Sequence, residues 1–140
     1  MYSYNYLAAK DYALARCSSY NSSYCNYNPC GGDCANFVSQ CFRAGNQIDG
    51  GAWYTIPNGA CGRCGTQASY AGTDTWANND LLRQWVIDSS QGQALSDKWG
   101  LGIGDIINYD KWDPDPNKVI DHVTVMGLAG VIGCRKRRLR

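Results

Sequence analysis

The spacing of hydrophobic positions changes several times along the chain, and each change marks an element. From residue 4 to 17, Tyr6, Ala9, Tyr12, Ala13 and Arg16 recur at three- and four-residue steps, without β-branched residues and with no Pro or Gly before residue 29. That spacing predicts a helix ending near the Ser/Asn cluster at 18–23. Residues 18–33 (SSYNSSYCNYNPCGGD) are turn formers punctuated by Tyr and Cys and read as a loop. Phe37, Val38, Cys41, Phe42 and Ala44 then form a second helical stripe, with Asp33 placed to cap its start and Gly45 to stop it. Periodicity fails over 45–75, a stretch rich in Gly, Asn and Thr that holds Cys-Gly-Arg-Cys at 61–64; an insert of that length is expected to be functional or stapled. Leu81, Leu82, Trp85 and Val86 predict a third helix from Asn79 or Asp80, closed by Asp88-Ser-Ser. After a Gly-rich turn, residues 105–109 (DIINY) and 119–126 read as two strands of a hairpin joined by the turn-rich DKWDPDPNK. The pattern is that of one α+β domain over 1–134, followed by a basic tail at 135–140, with no internal repeat.

Composition narrows the possible partners and compartment. The 140 residues are 44% hydrophobic and 18% charged, a folded chain rather than a disordered one. The net charge of +1 hides a split: five of thirteen cations lie in the last six residues, so the body carries a net −4. A mildly acidic body argues against nucleic acid as the main partner. Eight cysteines point to an oxidising compartment or a metal. Although the N-terminus shows no secretory signal, an extracellular or cell-surface location and a monomeric state are expected. Residues 119–134 ahead of RKRRLR superficially resemble a stop-transfer segment. They fall short of the roughly 20 apolar residues a membrane span needs and contain Asp121 and His122, so they read as strands.

All twelve acids are aspartates and His122 is the lone histidine, so paired-histidine metal sites and glutamate-based zinc peptidase or EF-hand chemistry are excluded. A base titrating near neutrality is then His122 or a perturbed aspartate. The informative run is Gly31-Gly32-Asp33-Cys34-Ala35-Asn36-Phe37-Val38-Ser39-Gln40-Cys41. A cysteine in the first turn of a helix meets unsatisfied N–H groups and the positive end of the macrodipole, which lowers its thiol pKa and favours a nucleophilic thiolate. The two glycines let a substrate backbone approach. Strand alternation groups His122 with Thr124 and sets Asp121 and Val123 on the other face. Cys34 with His122 would suit thiol-based acyl transfer, with the Cys34 N–H as an oxyanion donor. The plainer readings are a buried or disulfide-bonded Cys34, a satisfied core or surface His122, Asp33 as a cap, and Asn36 and Ser39 as structural hydrogen bonders.

These segments resemble a family. DCANFVSQC, preceded by a Tyr/Ala-rich helix and followed by Ala44-Gly45, WANNDLLRQWVI, GDIINYDKW and DHVTVM, is similar over roughly residues 4–126 to the putative amidase domain family, which is grouped with the NlpC-like and CHAP-like cysteine hydrolases. The resemblance implies a papain-like fold in which the Cys34 helix packs on a small antiparallel sheet carrying His122. It also implies hydrolysis of amide bonds, in cell-wall peptides or related substrates, through a thioester and without a catalytic cofactor. Members are expected to continue past the His strand into further strands, one supplying a polar residue that orients the imidazole; GLAGVIGCRKRRLR offers no Asn, Asp, Gln or His. That role is expected to fall to Asn108, Asp110 or another partner, or to be vacant.

Asn28 and Tyr27 are candidate oxyanion or substrate donors, or loop filler. Cys25 and Cys30 with Cys61 and Cys64 form either a four-thiolate structural zinc site or two disulfides. Cys41 reads as a small core side chain, and Cys17 and Cys134 are unassigned. The rival to an enzyme is a cysteine-stapled or zinc-stapled binding module of the same fold that has lost turnover.

Overall fold

Helix α1 (Tyr6–Arg16) forms where the three- and four-residue spacing places it. Asn5 caps it, its Oδ1 accepting from the Ala8 N–H at 3.0 Å. Ala9 and Ala13 are buried, and their small side chains let α1 lie close along the second helix. Tyr6, expected on the inner stripe, is instead 49% exposed. The structure, a computed structural model, describes residues 4–30, 33–47, 50–61, 71–89, 92–94, 100–109, 122–127 and 130–132.

Helix α2 (Cys34–Ala44) is the centre of the molecule. The sequence predicts one apolar stripe, yet every residue from Ala35 to Phe42 is buried, including Asn36, Ser39 and Gln40. Elements surround it: α1 on one side, the helices α3 (Asp74–Ala77) and α4 (Asn79–Asp88) on another, and the sheet strand β2 (His122–Gly127) on a third. Its polar positions are tolerated because each is hydrogen-bonded. Tyr12 Oη donates to Gln40 Oε1 at 2.7 Å, Ser39 Oγ donates to the Trp76 carbonyl at 2.8 Å, and Trp53 Nε1 donates to Ser39 Oγ at 3.1 Å.

The helix stops at Ala44 with Gly45 as its C-cap, as the glycine signal suggests. Asn46, at φ 68, takes the left-handed position, with the Gln47 N–H returning to the Phe42 carbonyl and the Asn46 N–H to that of Arg43. Gly45 serves a second need. Its carbonyl accepts from the Asn5 N–H at 2.8 Å, and a Cβ there would come within 2.5 Å of the Tyr4 ring.

The core continues as an aromatic series, in which Tyr24 stacks on Trp76, Trp76 on Trp53 and Trp53 on Trp85, with centroids 5.9, 4.8 and 4.7 Å apart. Trp85 belongs to the predicted third helix, observed as α4; the short α3 before it was not anticipated. Asn78 separates the two, its side chain accepting from the Leu81 N–H at 3.1 Å. Leu82 is buried as expected, whereas Leu81 is 45% exposed and does not join the apolar face.

Strands β1 (Ile106–Tyr109), β2 and β3 (Gly130–Ile132) form an antiparallel sheet in the order β1-β2-β3. The predicted hairpin is therefore present, and β3 extends it through residues the sequence also gives to strands. Asp105 is a turn residue, its Oδ2 accepting from the Gly102 N–H at 2.7 Å. Gly104, at φ +86, leads into β1, and its carbonyl accepts from Tyr4 Oη at 2.9 Å. Among the described residues, no helix is long and apolar enough to cross a membrane.

Candidate active site

Cys34 is the first residue of α2, half-buried against the helical core and outside any disulfide. The helical ladder starts with the Phe37 N–H on the Asp33 carbonyl at 2.9 Å. By position, the N–H groups of Cys34, Ala35 and Asn36 lie ahead of that ladder and point out of the helix start, where they favour negative charge on a thiolate or an oxyanion.

Asp33 holds the N-cap position but does not cap. Its φ of −118 and ψ of 11 lie off the extended conformation typical of a cap, and its side chain makes no capping bond. Its Oδ1 instead accepts from the Tyr27 N–H at 2.9 Å and from Asn36 Nδ2 at 2.8 Å. Burial pushes the Asp33 carboxyl above its ordinary value, opposed by those two hydrogen bonds. The expected cap is thus a tie between the preceding loop and the first turn of α2.

Asn36 extends that tie. Its Nδ2 also donates to the Cys25 carbonyl at 2.8 Å, while its Oδ1 accepts from Trp76 Nε1 at 2.7 Å. Tyr20 Oη donates to the same Cys25 carbonyl. Burial, first, and the neighbouring Asp33 charge raise the Tyr20 phenol above its usual range. Asn36 was read as a structural hydrogen bonder, and that reading is correct; the convergence of loop, helix and Trp76 on one side chain was not readable from spacing.

Cys25 and Cys61 form a disulfide with Cα atoms 5.7 Å apart. It joins one cysteine of each predicted pair and staples the 45–75 insert to the loop before Cys34. The disulfide is one of the two arrangements the sequence leaves open for these cysteines. Cys64 and the side chain of Cys30 lie outside the described residues. Cys41 is fully buried in the core, as expected.

The two candidate donors upstream are already engaged at their backbones. The Tyr27 N–H is held by Asp33 and its ring is buried. The Asn28 N–H donates to Asn26 Oδ1 at 2.9 Å, and the residue is exposed.

His122 is the first residue of β2, and α2 and β2 approach within 8 Å between Cα atoms. The fold therefore brings together the helix that starts with Cys34 and the strand that starts with His122. Register pairs His122 with Tyr109, Val123 with Asn108, Thr124 with Ile107 and Val125 with Ile106. Ile106 packs against the helical core. Asp110 lies outside the described residues, as do the side chains of Asn108 and His122. A small apolar cleft lined by Tyr4, Phe42, Gln47, Trp85 and Val86 lies toward the other end of α2. The eight residues from Cys34 to Phe42 put it roughly 12 Å along the helix from the thiol.

An α+β chain with a thiol at the start of its central helix and a histidine strand beside that helix fits the amide-hydrolase class. Residues 3–131 match the family model described as a putative amidase domain, and the chain belongs to that family. No curated protein and no solved structure matches it.

Proposed function

We propose that the chain is a cysteine-dependent amide hydrolase of papain-like architecture, related to the NlpC-like and CHAP-like hydrolases, acting outside the cell on cell-wall peptides or similar amides. The observation that carries this reading is Cys34 at the first position of α2, outside any disulfide, in a chain of the amidase family. In the proposed reaction the Cys34 thiolate attacks the amide carbonyl, and first-turn N–H groups stabilise the oxyanion. His122, having taken the thiol proton, returns it to the leaving amine. Water then hydrolyses the thioester, with His122 as its base.

The reading requires the start of β2 to place His122 beside the start of α2. Because His122 is the lone histidine, its proton NMR titration is a single-signal experiment. Cys34→Ala should lower its midpoint, since an imidazolium beside a thiolate loses its anionic partner. An identical midpoint in both proteins rules out the dyad. In wild type, iodoacetamide should label Cys34 below pH 7 far faster than Cys17, and Cys34→Ala should abolish hydrolysis of a cell-wall peptide while leaving folding intact.

The Cys25–Cys61 disulfide supports a second reading, in which turnover has been lost and a disulfide-stapled binding module of the same fold is left. Slow labelling of Cys34 together with retained binding to the same peptides would select it.

A further inference from the structure

We propose that Asn36 is a positioning residue for Cys34, locking the first turn of α2 to the disulfide-bonded loop so that the helix-start N–H groups converge on the thiolate. The proposal rests on Cys34 being the nucleophile. Asn36 is 1% exposed, and both its N–H donors and its carbonyl oxygen are used. One donor holds the Cys25 carbonyl at 2.8 Å, the other the Asp33 carboxylate at 2.8 Å, and the oxygen accepts from Trp76 Nε1 at 2.7 Å. Those partners belong to three separate segments: the loop fixed by Cys25–Cys61, the residue before the nucleophile, and α3.

Only a carboxamide supplies two donors and an acceptor from one short side chain. A carboxylate at 36 would lose both donors, and a hydroxyl would lose one. The arrangement also acts at the place where a helix is weakest. First-turn residues fray because their N–H groups have no helical acceptor, and a frayed turn disperses the N–H groups that lower a thiol's pKa. Asn36 stands two residues from Cys34 and ties that turn at both of its sides. Ser39 is equally buried and also binds Trp76 and Trp53, but it lies past the first turn. It is the control for a merely structural role.

The test is the pH profile of Cys34 alkylation by iodoacetamide, followed by peptide mass spectrometry in the intact chain with Cys17 as the internal reference. The inflection of the profile reports the thiolate equilibrium and is insensitive to a change in access alone. Asn36→Ala should move the inflection up by about one pH unit, which slows labelling at pH 7 about ten-fold. Ser39→Ala should leave it in place. Trp76→Phe, which removes one of the three bonds to Asn36, should move it in the same direction by less, and decides the matter if Asn36→Ala does not fold. An unmoved inflection in the folded Asn36 variant, or in Trp76→Phe in its stead, overturns the proposal, as does an equal shift in Ser39→Ala. A wild-type Cys34 that follows Cys17 at every pH overturns the nucleophile reading itself, an outcome distinct from a fast-labelling wild type that is indifferent to Asn36.

Discussion

Replacing both halves of the bridge, as Cys25→Ala with Cys61→Ala, should cost this chain a large share of its stability. The bridge spans 36 residues, and the chain-entropy relation for a closed loop of about that length gives on the order of 4 kcal/mol at 25 °C. Domains typically hold about 5–15 kcal/mol in total, so the variant should still fold, but with its melting temperature lowered by on the order of 10–15 °C. The structure adds a local term. The Cys25 carbonyl anchors Asn36 and Tyr20, and the Asn58 N–H donates to the Ser23 carbonyl at 2.7 Å, so both ends of the bridge carry hydrogen bonds that depend on the loop's position. Urea unfolding followed by tryptophan fluorescence reads the effect directly, because Trp53, Trp76 and Trp85 stack in one series. The slope of the transition should also rise, since an uncrosslinked unfolded chain exposes more surface. A loss below about 1 kcal/mol with an unchanged slope would refute the reasoning, as would alkylation of Cys25 and Cys61 in unreduced, denatured protein.

Two further perturbations test other parts of the structure. Burial raises the Asp33 pKa above its unfolded value, so the native state binds this proton more tightly than the unfolded chain does. Its contribution to stability is complete below about pH 3.8 and is lost as pH rises through the raised value. Asp33→Asn keeps an oxygen for the Tyr27 N–H and the Asn36 amide. It should match or exceed wild-type stability at pH 7 and flatten the acid side of the stability profile; a steeper loss of stability at pH 7 than at pH 4 would contradict this. At Gly104, φ is +86 and a Cβ would lie 2.7 Å from Tyr6 Cβ, whereas at Gly102 it would meet only the flexible Asp105 carboxylate at 3.6 Å. Gly104→Ala should therefore cost about 2–4 kcal/mol by urea unfolding and Gly102→Ala much less; equal costs would mean that the Tyr6 contact yields freely.

Elements whose signal is local were legible in the sequence. Helix α1, the start of α2 at Cys34, α4 and the β1–β2 pairing all follow from spacing and breakers within a dozen residues. The errors share one cause, which is tertiary context. Leu81 and Tyr6 sit on the expected stripes but at the edges of what α2 and the tryptophan series cover, so they face solvent. The short α3 carries too few residues to show a period and is held by Trp76 stacked on Trp53. Gly45 caps α2 as the sequence suggests, but the left-handed residue is Asn46, one position further on.

The site divides along the same line. Cys34 could be placed at a helix start from Gly31-Gly32-Asp33 and the apolar stripe, because a residue's position in a helix is a local property. What fixes that helix start is not local. Asn36 meets Cys25 across eleven residues and Trp76 across forty, and no periodicity encodes contacts at such separations. Asp33 shows the same limit in one residue: sequence makes it a cap, but the loop arriving through Tyr27 offers a buried N–H that must be satisfied, and the carboxylate goes there. A polar Asn two residues past a candidate nucleophile, on a helix whose apolar stripe predicts burial, is the signal that pointed to this. A polar side chain at such a position is retained only if its full hydrogen-bonding capacity is met, so it implies partners from other segments before any of them is known.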